Sequence, residues 1–134
     1  MPDVAGDAGT QAGPPMVTAE GHQTAASAIG PSTSAAAALW GGLVALADQY
    51  AHHDLGFVNP TIYRIARSPS YHRAFHDVTT GSNRLSMPYP AGTAGHQATP
   101  GWDPVTGWGS PNAQVLIPLL ATSPAAARHS GIHP

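Results

Sequence analysis

The chain has 134 residues, with five arginines, seven acidic side chains, eight histidines, and neither lysine nor cysteine. That length allows one domain with a modest core, and a formal charge of −2 without a basic face argues against a nucleic-acid partner. Without cysteine there is no disulfide, no thiolate nucleophile and no sulfur-ligated zinc, so any metal must be held by oxygen or imidazole.

Residues 1–15, MPDVAGDAGTQAGPP, are rich in Gly, Ala and Pro and carry two aspartates. They offer little to bury, and composition predicts a disordered tail. The stretch has neither a basic start nor an apolar run, so it reads as neither a signal peptide nor a membrane span, and no membrane partner is expected. Residues 16–29 hold a turn-like EGH between two weakly apolar stretches, which predicts a short hairpin leading into a serine-containing loop.

From Ser34 to about Tyr50 the pattern is helical. Leu39, Leu43, Leu46 and Tyr50 recur at steps of four, three and four, and Ala36, Trp40, Val44 and Ala47 fill the adjoining stripe. No charged residue occurs before Asp48, so the helix is expected to be enclosed on most sides, with Gly41 and Gly42 admitting a close neighbour. Ser34 at its mouth reads either as a cap for the loose N–H groups or as a nucleophile, and caps are much the commoner.

His52-His53-Asp54 follows this helix, where histidine more often meets terminal carbonyls than a metal. In NPTIYRIARSP, Asn59 is placed to cap, Pro60 to occupy the first helical position, and Ile62, Ile65 and Ala66 to form an apolar face. FHDVTTG reads as a strand ending in a glycine turn, and residues 82–100 as a loop. Neighbouring strand residues point to opposite faces, so His76 and Asp77 cannot both align behind Ser34 as base and orienter. GWDPVTGWGSPN is turn-dense. On residue type alone, Asp77 caps a turn and Asp103 opens an ordinary Asp-Pro turn. Ser110 and Pro111 provide a cap and first-turn pair for NAQVLIPLLA, which Pro118 should kink or truncate. Residues 123–134 read as a frayed tail. Trp40, Trp102 and Trp108 are expected to pack rather than to line a cleft.

The order of these motifs resembles the sedolisin family, the serine-carboxyl peptidases of subtilisin-like fold. The family's Gly-Thr-Ser-Ala-x-x-Pro-Leu-Trp signature lies over STSAAAALW, with Ser34 at the nucleophile position. LGFVNPTIY, FHDVTTG and TPGWDPVTGWGSPN then follow in the family's order, so the resemblance runs over residues 17–121 and sets a domain at 16–122. It implies an α/β fold: the C-terminal portion of a subtilisin-like parallel-sheet fold, incomplete, with a buried central helix and a calcium-binding loop region.

The same resemblance implies peptide-bond hydrolysis through an acyl-enzyme, with Ser34 as attacker at a helix N-terminus whose N–H groups can support an oxyanion. A serine needs a base, and the family's Glu, its orienting Asp and its oxyanion Asp all lie upstream of the serine segment. Before Ser34 this chain has only Asp3, Asp7 and Glu20, none of which matches them. The isolated chain is therefore expected to be inactive. Its expected partners are a peptide or protein substrate once completed, and a missing N-terminal half or a second copy of itself. Ser32 replaces the family's glycine, after Pro31, and Ala38 replaces its proline.

By resemblance, one structural calcium ion is expected on the carboxylates of Asp77 and Asp103 and the backbone carbonyls of Val78, Thr99 and Gly101, with Thr99 standing where the family usually has glycine. The family implies an extracellular setting. The alternative is a calcium-stabilised, non-catalytic remnant or binding module.

Overall fold

The computed structural model describes residues 1–6, 33–84 and 95–123, together with the backbone of residues 15–20 and 23–28. The elements run β1 (Pro15–Glu20), β2 (Gln23–Ala28), α1 (Thr33–Ala51), α2 (Asn59–Ala66), α3 (Tyr71–Ala74), β3 (Phe75–His76), β4 (Ser110–Pro111) and α4 (Ala113–Ala121). They fall into two compact units, Gly6–Gly42 and Met1–Ala5 with Leu43–Pro134.

In the first unit, β1 and β2 form an antiparallel hairpin in register from Pro15↔Ala28 to Glu20↔Gln23. This is the hairpin expected around EGH. The opening turns of α1 follow, where a run of four alanines, Ala35–Ala38, supplies the strongest helix former and Gly41 and Gly42 each cost about 1 kcal/mol relative to alanine.

The second unit takes its core from Leu43, Ala47, Leu55, Ile62, Ile65, Ala66, Tyr71, Ala74, Phe75, Ala98, Leu116 and Leu120. The last turn of α1 closes on His52, which adopts the left-handed conformation (φ 59°) usually reserved for glycine. His52 N–H donates to the Gln49 carbonyl and His53 N–H to that of Asp48, so the two histidines finish a helix. The His53 ring meets the carbonyl of the next residue, Asp54, at 3.0 Å, beyond the end of α1. Asp48 Oδ1 then accepts the Leu55 N–H at 2.8 Å and turns Leu55 into the core.

Four local expectations are corrected. Asn59 lies inside α2 and caps nothing, because Val58 precedes the helix as N-cap and the Asn59 amide donates to Asp3 instead. Ser110 and Pro111 form β4, pairing with β3 through Phe75↔Pro111 and His76↔Ser110, and Asn112 takes the N-cap place of α4. Pro118 does not end that helix, which continues to Ala121 and closes on Pro118's own carbonyl through the Thr122 N–H. Residues 82–100 are not all loop, since Ser82 bridges Gln97, the Ala98 N–H donates to Gly81 and the Asn83 N–H to His96.

Two broader expectations also change. Among the described residues every strand pairing is antiparallel, so the parallel sheet implied by resemblance is not formed within them. The helix α1 is not enclosed: only Leu43 and Ala47 are buried on it, while Leu39, Leu46 and Tyr50 are more than half exposed. The Leu43 and Ala47 positions are covered, and the stripe of Leu46 and Tyr50 is bare.

Residues 1–15 contain a segment that packs. Met1–Ala5 lies along residues 107–109, with Trp108 N–H donating to the Asp3 carbonyl and Ala5 N–H to that of Gly109, each at 2.9 Å. Residues 7–14 and 124–134 lie outside the described residues.

Candidate functional site

Ser34 stands in the first unit. Thr33 opens α1, so Ser34 sits inside the first helical turn, two places beyond where a capping side chain belongs. It is exposed, and its hydroxyl makes no hydrogen bond among the described residues. A serine hydroxyl is a weak nucleophile until a base takes its proton, and among the described residues no base is hydrogen-bonded to Ser34. Ser32, the residue that replaces glycine in the signature, and Pro31 lie outside the described residues, as does Glu20's side chain.

The loop carrying the expected metal ligands belongs to the second unit. Among the described residues, Asp103 is the one charged side chain that is buried, 1% exposed. Its Oδ1 accepts the N–H groups of Val105 and Thr106 at 2.8 Å, and its Oδ2 accepts the Thr99 N–H and the Thr106 hydroxyl at 3.1 Å. Asp103 and Gly107 also exchange both backbone hydrogen bonds, closing the five-residue turn. Burial by itself would raise this carboxyl's pKa, but the donors of Thr106, Thr99 and Val105 outweigh it and hold the group below the ordinary carboxylate range.

Asp77 follows β3 and reaches the same loop. Its Oδ2 accepts the Gly101 N–H at 2.9 Å, while its Oδ1 is buried with no hydrogen-bond partner. A buried carboxylate oxygen without a donor is costly, and a cation is one way of satisfying it. The Thr99–Asp103 stretch therefore gathers both carboxylates: Thr99 donates to one and Gly101 to the other. The Tyr71 phenol is pushed above the ordinary tyrosine range, first by burial, then by hydrogen bonding toward Asp77 and the charges of Asp77 and Asp103. The Tyr71 hydroxyl donates to the Trp108 carbonyl at 3.2 Å.

The carbonyls of Val78, Thr99 and Gly101 accept no backbone hydrogen bond among the described residues. Gly101 needs its missing side chain, having φ 81°. His76 is exposed, and the contacts of Asp77 run to the loop rather than to the imidazole. Among the described residues no group of three or more His, Asp or Glu side chains gathers to hold a metal, so any site here depends on main-chain oxygen.

Sequence reasoning missed Asp3. Its Oδ1 accepts the Tyr63 hydroxyl at 2.6 Å and its Oδ2 the Asn59 amide at 3.0 Å, tying residues 1–5 to α2. Tyr63 and Tyr71 both meet the Trp108 ring edge-on, with centroids 5.9 and 5.6 Å apart. A lone aspartate in a Gly- and Pro-rich stretch gave no periodic signal from which this could be read. Of the tryptophans, Trp108 packs as expected, and the indole N–H groups of Trp102 and Trp108 are buried without partners.

Comparison with known proteins gives the geometry a context. No family model matches the chain. It is 38% identical over 128 residues to Kumamolisin of Bacillus sp. (strain MN-32), an alignment taking in 96% of this chain and 21% of Kumamolisin. It is 41% identical over 102 residues to Tripeptidyl-peptidase SED4 of Arthroderma otae, and 34% identical over 92 residues to Tripeptidyl-peptidase 1 of Homo sapiens, in each case over 66% of this chain and 16% of the relative. The chain thus spans about a fifth or less of the length of these relatives. The Kumamolisin alignment reaches beyond the 17–121 stretch that carries the sequence motifs.

Proposed function

We propose, because this chain belongs to the sedolisin family of serine-carboxyl peptidases, that it supplies the nucleophile and a calcium-stabilised loop to a peptide-hydrolysing site completed by acidic groups from outside these 134 positions. The observation that carries the reading is Ser34: exposed, unengaged and in the first turn of α1. Its Oγ would attack the peptide carbonyl carbon as its proton passes to an incoming carboxylate, with the oxyanion facing the helix N–H groups. No carboxylate or imidazole is hydrogen-bonded to Ser34 among the described residues. The chain alone therefore hydrolyses little or nothing.

The exposed stripe of α1 points the same way. Leu46 is 53% exposed, Tyr50 57% and the nearby Phe57 74%, an apolar surface of the kind that drives association. We assign its cover to the remainder of a longer peptidase; about four-fifths of Kumamolisin lies outside the match.

For calcium, the residues fit in chemistry. Asp77 offers an unsatisfied buried oxygen, and Val78, Thr99 and Gly101 offer carbonyls that accept no backbone hydrogen bond among the described residues. Asp103 already accepts four donors, so an ion binding to it would displace one, and the Thr106 hydroxyl is the donor that can rotate away. When bound, a hard dication would balance the two carboxylates and fix the loop.

The test is reconstitution. Mixed with the portion of Kumamolisin outside the match, the chain should be labelled by a fluorophosphonate at Ser34, and Ser34→Ala should abolish the label. An assembled mixture in which Ser34 stays unlabelled overturns the peptidase reading. A calcium-dependent melt without any labelling would favour the non-catalytic remnant, a reading supported by Ser32 and Ala38 in place of the signature's glycine and proline.

A further inference from the structure

The N-terminal segment does more than lie on the surface of its unit. Asp3 is held from two directions: its side chain by Tyr63 and Asn59 of α2, and its carbonyl by the Trp108 N–H. Its backbone also presses on Gly107, where φ is 59° and a Cβ would fall onto the Asp3 carbonyl. Gly107 is the residue that exchanges both main-chain hydrogen bonds with Asp103. The segment is therefore one wall of the turn that shapes the Asp103 carboxylate, and β3 is another, since the Gly109 position leaves no room for a Cβ beside the His76 carbonyl.

We propose that Asp3 is a positioning residue for the ion-binding loop: by clasping Met1–Ala5 between α2 and the Asp103–Gly107 turn, it sets the loop's affinity for calcium while its own two oxygens stay engaged with Tyr63 and Asn59. The inference rests on the calcium reading above. Coupling of this kind is reciprocal, so the ion tightens the clasp by the factor by which the clasp tightens the ion. Groups that orient metal ligands typically change affinity by about 10- to 100-fold, and Asp3 acts through a backbone turn, which places it at about 10-fold.

The experiment is a calorimetric titration of calcium chloride into the full chain and into Asp3→Ala, Tyr63→Phe and Leu120→Val, with amide hydrogen exchange on each. Asp3→Ala should weaken binding about 10-fold and release the protected Trp108 and Ala5 amides. Tyr63→Phe keeps the Asp3 charge and removes only the 2.6 Å bond, so it should weaken binding in the same direction by less. Leu120→Val, which trims the core away from the loop, should leave the affinity of the folded protein unchanged. Calcium should raise the protection of the Trp108 amide in the unsubstituted chain.

Unchanged affinity in a folded Asp3→Ala chain overturns the proposal while leaving the calcium reading intact. Weakening by Asp3→Ala with none in Tyr63→Phe assigns the effect to charge and overturns positioning. Absence of any calcium binding by the unsubstituted chain overturns the calcium reading, and the coupling with it.

Discussion

Replacing Asp103 by asparagine, in calcium-free buffer, tests whether this loop is held by an ionised carboxylate. The amide oxygen of an asparagine can keep the Val105 and Thr106 N–H groups. Its NH2 then faces the Thr99 N–H and the Thr106 hydroxyl, which now point at Oδ2. The hydroxyl can turn and accept, but the Thr99 N–H cannot, and a buried donor left without a partner costs about 1–3 kcal/mol. The two surviving bonds also lose their charge assistance, about 1 kcal/mol each. Relief from burying a charge opposes both terms without cancelling them, since the donors already hold the carboxyl below its ordinary range against the effect of burial. The net loss expected is about 2–4 kcal/mol, a large share of a stability of about 5–15 kcal/mol. Denaturant unfolding followed by tryptophan fluorescence and far-ultraviolet circular dichroism measures it. The sign with pH is fixed as well. A carboxyl whose pKa is depressed by folding contributes fully above its unfolded value of about 3.9 and loses that contribution as pH falls through the folded value. The gap between the two chains should therefore be widest at neutral pH and close in acid. A loss below about 1 kcal/mol at neutral pH, or a gap that survives acidification, would refute the account.

Asp77→Asn should behave differently. Its oxygen can keep the Gly101 N–H, and a neutral unpartnered NH2 takes the place of an unpartnered charged oxygen, so one burial cost is exchanged for another and stability without calcium should change by less than about 1 kcal/mol. The calcium-induced rise in melting temperature should vanish, and a rise that persists would remove Asp77 from the ligand set. Ultraviolet titration should show Tyr63 and Tyr71 ionising above about 10, Tyr63 because it donates to Asp3 and Tyr71 chiefly because it is buried. Since folding raises both values, the contribution of these neutral phenols is complete below about pH 10 and is lost as pH climbs through the folded values, so Tyr63→Phe should flatten part of the alkaline limb. The pair Leu46→Gln and Phe57→Ser should shift the isolated chain toward monomer in light scattering. Association unchanged by both substitutions would mean that another surface drives it.

What the sequence revealed depends on how local its signals are. The hairpin either side of EGH, the helix beginning at Asn59 and the turn density around Asp103 are properties of short windows, and each appears where its residues dictate. The two aspartates of the loop were chosen by resemblance, not spacing. On residue type alone Asp103 is an Asp-Pro turn, and its contacts to Val105 and Thr106 are those of such a turn. For Asp103 to take a cation as well, the Thr106 hydroxyl would have to turn away, so the two readings of Asp103 differ by one hydrogen bond. Asp3 could not be found in this way. Its partners lie 56 and 60 positions away, and composition averages over the single residue that anchors an otherwise featureless stretch.

The helix α1 shows the other limit. Its apolar period, from Leu39 through Leu43 and Leu46 to Tyr50, states correctly that the helix carries more hydrophobic surface than one face can hide. Periodicity records which side chains can be covered and is silent about what covers them. Here Leu43 and Ala47 face the unit's own core, and Leu46 and Tyr50 face outward. At about 25 cal/mol per Å2 of apolar surface removed from water, leaving these side chains exposed forgoes stabilisation of the order of 1.5–3 kcal/mol for each large one. A chain of this composition, with 9% charged residues, has few polar groups with which to offset that loss. On the peptidase reading proposed above, the domain that would bury Leu46 and Tyr50 would also be the one to bring a base to Ser34. Folding and activity should therefore be restored together: a complement that labels Ser34 without protecting the amides of α1 from exchange would separate them and break this link.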